Sequence, residues 1–448
     1  MDTYTTGSGR DLFVEKPSFA GLLDSVAIPD LFPVTRRFED NALQNIAEEA
    51  VLALDKSNIG GRIVSGGEVA LGVGSRGIDR LPELVRAIAG WFRNRGAHPF
   101  IVPGMGSHGG ATAEGQITVL NNLGITEETV GCPIRSSMEV RKLGLLPDGT
   151  PVYLDALAAN ASNYFIINKV KQHPSYGGPH ESGLVKMLVI GMGKQKGADS
   201  CHELGFGSFA VILPAMARFT LENTPNFLGG MGLVENARDK ICHIEAIPPE
   251  ALLERDAALL VYAKQQLARL PVKHLDFLLV DVMGKNISGA GMDPTVLGRF
   301  LTPYKQGDIS ITKIAVLDIS TESHGNATGI GNADLISAEL FRKINYEATY
   351  TNVMTSTLLR SGCTPVVMPD DRATVCCGIK TCNAGQRQIR MIRIRDTLHL
   401  EHLLVSAAVA EELTDDPLCI VGKRPVPIRF SREGRLHDAD IWERFITL

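Results

Sequence analysis

Two glycine-rich segments contain the side chains that could do chemistry. The first, GMGSHGGATAEGQ at residues 104–116, follows the apolar run PFIVPG and precedes a helical pattern. Glycines on both sides of His108 permit unusual φ values and a close approach by a ligand. An imidazole, with an ordinary pKa of about 6.5, can accept or donate a proton near neutral pH. His108 is therefore a candidate acid/base group, and an exposed histidine in a glycine turn is the alternative.

The second segment spans residues 168–205 and combines three histidines with lysines and a dense set of glycines. Such a segment supplies imidazole nitrogens for a metal, cations for a phosphate and a backbone that can wrap around a cofactor. The combination exceeds what a connecting loop needs, although no single nitrogen is diagnostic. We treat six other histidines as structural: His98, His180, His243, His274, His399 and His402.

The elements that position these segments read as βαβ units. Apolar runs at 69–73, 99–103 and 163–170 are rich in β-branched residues, and a helical pattern begins at Leu84. Thr112 is predicted to cap the following helix. This alternation predicts an open, mostly parallel sheet, which binds ligands at the carboxyl edge of its strands.

The fold class predicted is α/β, with two α/β domains, mostly parallel sheets and an active-site cleft between the domains. Residues 248–270 read as a long helix opened by prolines and closed by Pro271, so the boundary is placed there. Residues 1–270 form the catalytic and cofactor-binding domain. Residues 271–448 form a smaller α/β domain with predicted helices at 333–345 and 399–414, and a tail that packs on either domain.

Composition excludes several classes of function. The chain has 448 residues, 44% hydrophobic and 21% charged, and a formal net charge of −5 with no long basic run. Nucleic acid and membrane surfaces are therefore poor partners. Eight cysteines are too sparse for a disulfide scaffold, and Cys376, Cys377 and Cys382 are predicted to be buried thiols on a helix. The start lacks the pattern of a secretory signal, so we expect a cytoplasmic protein.

The chain resembles the nickel-dependent lactate racemase family, whose enzymes use a nickel-pincer nucleotide. The positions that carry this resemblance are His108, His173, Lys186 and His202. The resemblance covers most of the chain in two-domain order. It implies that Lys186 contacts or tethers the cofactor and that His202 binds nickel. It also implies that His108 and His173 are the catalytic acid/base pair.

The same resemblance implies further contacts around the cofactor and the substrate. Gly183 and Arg76 would contact the cofactor, and Arg76 stands in GVGSRGID, where the family has an Asp-Xaa-Thr-Arg-Pro-Thr segment. Arg76 and Lys285 would bind the substrate carboxylate. The amide- and hydroxyl-rich loop STESHGNATGIGNAD suggests a substrate more polar than lactate, such as an aldonic acid.

The implied activity is a 2-hydroxy acid racemase or epimerase, an isomerase that removes a hydride from C2 and passes through a 2-keto acid. Hydride removal avoids a carbanion, because the C2 hydrogen is too weakly acidic for a histidine base. The substrate would be a small 2-hydroxy acid, and cofactor-synthesis enzymes would act upstream.

Two other functions stay open at this point. A nicotinamide-dependent 2-hydroxy acid dehydrogenase is disfavoured because no G-x-G-x-x-G follows a strand with an acidic residue about 20 positions on. A non-catalytic protein that sequesters a metal or ligand would use the same histidines. A bound cofactor would change its oxidation state during turnover in the racemase but not in such a sequestering protein.

Overall fold

The structure is a computed structural model that describes residues 12–13, 17–437 and 439–445. It contains two compact units. The central unit is Glu39–Leu267, and the terminal unit contains the described residues up to Phe38 together with those from Ala268 onward. The observed division after Leu267 lies close to the predicted boundary at 270. The segment before Glu39, placed in the first domain from sequence, belongs to the terminal unit because its strand is an inner strand of that unit's sheet.

The helices and strands follow the alternation expected of an α/β chain. The strands are β1 (Phe32–Arg36), β2 (Glu68–Val73), β3 (His98–Pro103), β4 (Val140–Leu145), β5 (Pro151–Asp155), β6 (Asn163–Lys169), β7 (Phe227–Glu235), β8 (Ile241–Ile247), β9 (His274–Met283), β10 (Ser310–Ile319), β11 (Leu335–Ser337), β12 (Val366–Met368), β13 (Met391–Ile394), β14 (His402–Val405) and β15 (Cys419–Val421). The helices are α1 (Ile46–Lys56), α2 (Leu81–Arg93), α3 (Ala113–Asn122), α4 (Glu127–Val130), α5 (Ala156–Asn160), α6 (Leu184–Lys186), α7 (Lys194–His202), α8 (Phe209–Asn223), α9 (Leu252–Gln266), α10 (Pro294–Leu297), α11 (Ala338–Lys343), α12 (Tyr346–Thr355), α13 (Asp371–Thr381) and α14 (Ala407–Leu413).

The sheet of the central unit has the order β3-β2-β6-β7-β8, in which only β8 is antiparallel to its neighbour. The βαβ prediction is confirmed here, since β2, β3 and β6 coincide with the three apolar runs. Their residues are buried on both faces because helices cover the sheet. The Thr112 hydroxyl accepts a hydrogen bond from the backbone N–H of Gly115, as its predicted cap role requires.

A π-helical turn, Met187–Gly191, joins α6 to α7 and packs against the carboxyl edge of this sheet. Glycine is needed at this contact for reasons of space. A Cβ on Gly104 would lie 2.3 Å from Cε of Met187, and one on Gly191 would lie 2.7 Å from the carbonyl oxygen of Gly104. The chain therefore passes close enough for loop and helix to share hydrogen bonds.

The sheet of the terminal unit has the order β12-β11-β10-β9-β13-β14-β1-β15. The first five strands are parallel, and β14, β1 and β15 continue the sheet in antiparallel pairs. The tail after β15 packs on this unit. Its Val426 forms a β-bridge with Leu31, and the indole N–H of Trp442 donates to Oδ2 of Asp281 at 2.8 Å.

Two helix predictions for this unit are partly wrong. The segment 399–414 contains strand β14 followed by α14, and the segment 333–345 contains strand β11 followed by α11. In both places a short buried strand runs directly into a helix, so the apolar residues of the strand extend the helical pattern. Cys376, on α13, and Cys382, at its end, are buried as predicted, whereas Cys377 is only half-buried.

In the described part of the chain no single helix is both long and apolar enough to cross a bilayer. Only the pair Lys194–His202 and Phe206–Asn223, bent by 90°, reaches the required length and composition together.

Candidate active site

Three loops of the central unit leave the same edge of its sheet. The loops after β2, β3 and β6 carry Arg76, His108 and His173, and the carboxyl ends of parallel strands lie side by side. The connection after β6 continues through Gly183 and Lys186. Five predicted site residues thus lie on loops or turns that start from one edge.

His108 is oriented by the loop that carries it. Its Nδ1 atom lies 2.7 Å from the carbonyl oxygen of Met105 and 3.1 Å from Oγ of Ser75. A carbonyl oxygen can only accept, so the neutral ring keeps its proton on Nδ1 and its lone pair on Nε2. In this tautomer His108 accepts a proton at Nε2.

His173 has the opposite arrangement. The backbone N–H of Ser175 donates to its Nδ1 at 3.1 Å, so the proton of the neutral ring is on Nε2. The backbone N–H of His173 donates to the buried Glu181 at 2.7 Å, and the ring lies 4.4 Å from the Tyr176 ring, centroid to centroid. In their neutral forms His108 therefore presents a lone pair at Nε2 and His173 presents an N–H at Nε2.

Lys186 belongs to a group of cations. Burial, together with the charges of Arg76 and Lys171, lowers the pKa of Lys186 to about 7. Burial also lowers the pKa of Arg76, although that side chain keeps contact with solvent. In the described residues no carboxylate forms an ion pair with Arg76 or Lys186. Arg76 and Lys186, close to each other and without an acidic partner in the described residues, favour an anionic ligand.

His202 is the last residue of α7, and its charge environment links it to Lys186. Its Nδ1 atom lies 2.7 Å from the carbonyl oxygen of Ala198 and donates to it, which leaves the lone pair on Nε2. Burial lowers the pKa of His202, the Ala198 hydrogen bond opposes this shift, and the Lys186 charge adds to it. A neutral imidazole fixed through Nδ1 is the form that binds a metal at Nε2.

The described residues contain no group of three or more His, Cys, Asp or Glu side chains that could hold a metal ion. His202 offers one imidazole nitrogen, so it fits a metal whose other ligands come from a bound molecule. The cations around Lys186 fit the anionic part of such a molecule.

The sequence interpretation missed the acidic residues that support this site. Asp256 on α9 is buried. Its Oδ1 accepts the backbone N–H of Leu184 at 2.6 Å, and its Oδ2 lies 2.9 Å from Nδ1 of His180. A Cβ on Gly183 would lie 2.2 Å from the same carboxylate, so the glycine leaves room for it. A charged residue on the apolar face of α9 was the only signal in the sequence, and its partners lie far away along the chain.

An aromatic wall lies beside the histidines. The Phe206 ring is 5.8 Å from the ring of His173 and 5.9 Å from that of His202, and Phe209 is 5.3 Å from His202. Phe206 is half-buried and follows Gly205, which has φ of +68°. This wall makes one side of the site apolar.

Lys285 lies in the terminal unit, in the loop after β9. Its Nζ donates to the carbonyl oxygen of Gly289 at 2.6 Å and to Oδ1 of Asn352 at 2.7 Å. A groove of about 460 Å³ beside Asn352 is lined mainly by amides and hydroxyls: Asn326, Asn345, Thr351, Asn352 and Thr355, with Glu347. Lys285 as a carboxylate ligand stays a prediction.

Removal of the Lys186 charge is expected to stabilise the cofactor-free protein. The pKa of Lys186 is about 7 in the fold and about 10.4 in an unfolded chain, so the folded state disfavours the cation. We expect Lys186→Met to raise the free energy of unfolding by about 1–2 kcal/mol at pH 6 and by less at pH 9, where the folded wild type is already neutral. Urea titrations at both pH values measure this. Equal or lower stability at pH 6 would contradict the cationic cluster.

No family model matches the sequence, and no curated protein matches it. Among solved structures, the chain is similar to a Thermotoga maritima protein determined by the Northeast Structural Genomics Consortium. That likeness has 14% identity, covers 63% of this chain and 72% of the other, and has a TM-score of 0.43. The lactate racemase apoprotein from Thermoanaerobacterium thermosaccharolyticum matches at 11% identity over 77% of this chain and 88% of its own, with a TM-score of 0.42. Such likenesses do not establish a function, so the function is inferred from the residues of the site.

Proposed function

We propose that this protein is a 2-hydroxy acid racemase or epimerase that uses a nickel-pincer nucleotide. The observation that carries the proposal is the grouping of Lys186 and Arg76, cations without an acidic partner in the described residues, with His202, whose Nε2 carries a lone pair. The cations suit phosphate or carboxylate groups, and the histidine suits a metal held in the same molecule.

The proposed roles of the cofactor-binding residues follow from their surroundings. Lys186 lies on the turn whose first N–H groups are held by Asp256, so its backbone is fixed. With a pKa of about 7, Lys186 is partly an uncharged amine near neutral pH, which is the nucleophilic form. Arg76 and Gly183 lie on the flanking loops, and His202 supplies a single metal ligand. The bound cofactor would supply reversible acceptance of a hydride from C2.

The chain's own histidines would move the hydroxyl proton. His108 accepts it at Nε2 when one stereoisomer reacts, and His173 returns a proton from Nε2 to the carbonyl oxygen when the opposite configuration forms. In the reverse direction the roles exchange, and the Ser175 N–H must then leave Nδ1 of His173, because His173 accepts at Nε2 only when Nδ1 carries the ring proton. Phe206 would make the side of the site next to His173 and His202 apolar.

The substrate class is proposed to be a 2-hydroxy acid more polar than lactate. Arg76 is the proposed carboxylate ligand of the central unit. The amide- and hydroxyl-rich sequence STESHGNATGIGNAD favours a substrate with several hydroxyl groups, which lactate lacks.

An isotope experiment tests the proposal. The protein is produced together with cofactor-synthesis enzymes and assayed with C2-deuterated 2-hydroxy acids from lactate to gluconate. We expect inversion at C2 with the deuterium retained, since a hydride that is held and returned does not exchange with water. Loss of deuterium to solvent would indicate a carbanion, and no inversion of any acid by nickel-loaded protein would refute the function. The intact mass of the loaded protein shows whether Lys186 is covalently attached.

A further inference from the structure

A buried polar network lies between the His108 loop and the start of α7. Its central residues, Lys194 and Gln116, are both fully buried. We propose that Lys194 and Gln116 are positioning residues that fix the orientation of the His108 loop relative to the helix carrying His202. The catalytic meaning of this inference rests on the proposed function, whereas its structural content does not.

Lys194 is the first residue of α7, and its side chain connects this helix to three other elements. Its Nζ donates to the carbonyl oxygen of Pro103 at 2.6 Å and to Oε1 of Gln116 at 3.1 Å. It also lies 3.0 Å from Oδ2 of Asp155, which is fully buried. These partners are the last residue of β3, a residue of α3 and the residue that ends β5. The ammonium thus connects the strand that precedes the His108 loop to α7.

Gln116 transmits this contact to the loop itself. Its Nε2 donates to the carbonyl oxygens of Gly106 at 2.8 Å and His108 at 3.3 Å. An ammonium has no acceptor, so the amide must turn Oε1 towards Lys194 and Nε2 towards the loop. The backbone N–H of Gly106 in turn donates to the carbonyl oxygen of Gly191 at 3.1 Å. The loop is therefore held from the α3 side and from the π-helical turn.

A lysine at position 194 does not favour the stability of the fold. Its φ of +53° lies in the left-handed region, which disfavours residues with a side chain. Its charge is buried, and burial lowers its pKa against the opposing attraction of Asp155. A buried ion pair is often no better for stability than apolar packing. Strained backbone and buried charge in one residue, next to a proposed catalytic loop, indicate a functional constraint.

Two variants separate positioning from folding. Gln116→Met removes the amide donors to the loop and leaves the Lys194–Asp155 pair. Lys194→Met with Asp155→Asn removes the ion pair without leaving a buried unpaired carboxylate, and the asparagine keeps the Oδ1 that caps α5 at Ala158. Lys196→Met, exposed on the same helix, is the matched control.

The first measurement needs no activity: NMR of ring-labelled histidine in the cofactor-free protein reports the tautomer of His108. We expect the wild type and Lys196→Met to show the Nδ1–H form, and the two network variants to show a mixture of tautomers. In active protein, the network variants should lose about 10- to 100-fold in kcat with KM changed less than about threefold. His108 signals identical to the wild type in both network variants would overturn the positioning role. A wild type without racemase activity, but with the tautomer shift in the variants, would refute the proposed function and support the positioning role.

Discussion

His202→Ala is expected to retain no nickel when it is produced together with cofactor-synthesis enzymes. The imidazole is held through Nδ1 by the carbonyl oxygen of Ala198, so Nε2 is the atom that meets the metal. The described residues contain no cluster of three or more His, Cys, Asp or Glu side chains that could hold the ion instead. Elemental analysis after gel filtration, with the UV-visible spectrum of the same sample, measures the loss.

His98→Ala is the matched control, since His98 is an exposed histidine at the start of β3 in the same unit. It should keep the metal content of the wild type. Circular dichroism shows whether His202→Ala keeps its fold, which we expect because His202 is only half-buried at the end of its helix. Full nickel occupancy in folded His202→Ala would assign the metal to another residue.

Local patterns predicted most of the central unit because its strands are buried on both faces and its helix α2 is amphipathic. The terminal unit was harder for a physical reason. Its strand β1 pairs with β14 and β15, which lie at the other end of the chain, and nothing local in Phe32–Arg36 indicates that pairing. Strands β11 and β14 are short, and each enters a helix at once, so a helical period fits the combined segment.

In the candidate site, too, local sequence indicates the candidate residues but not the remote groups that surround them. Glycine spacing and residue type made His108 a candidate, and the family resemblance added His202; both stay predictions. The groups that set their states are remote in sequence: Asp256 supports the turn that carries Lys186, and Lys171 adds to its positive surroundings. The tautomers depend on single backbone groups, such as the carbonyl of Met105 and the N–H of Ser175. Such contacts follow from the folded geometry and leave no pattern in the sequence.

His108→Ala and His173→Ala are each expected to lower kcat/KM by about 10²- to 10⁴-fold, the usual contribution of a positioned acid or base. Both should keep nickel and cofactor, because neither imidazole is proposed to contact the metal. Racemisation of the substrate identified for the wild type measures the rate in each direction. Near-normal turnover in both variants would reassign the proton-transfer pair.

The pH dependence provides the sharper test of the pair. Reaction in one direction needs His108 neutral and His173 protonated, and the reverse direction needs the opposite. In both states Nδ1 of His173 carries a proton, so its contact with the Ser175 N–H opens during turnover. These two states contain the same number of protons, so kcat/KM should follow one bell-shaped profile for both stereoisomers. With one imidazole removed, only a single titrating group of the pair is left, so one limb of the profile should disappear in each variant. Because the equilibrium between stereoisomers is fixed, each variant must lose the same factor in both directions. Profiles in which both limbs persist after either substitution would show that other groups transfer the proton.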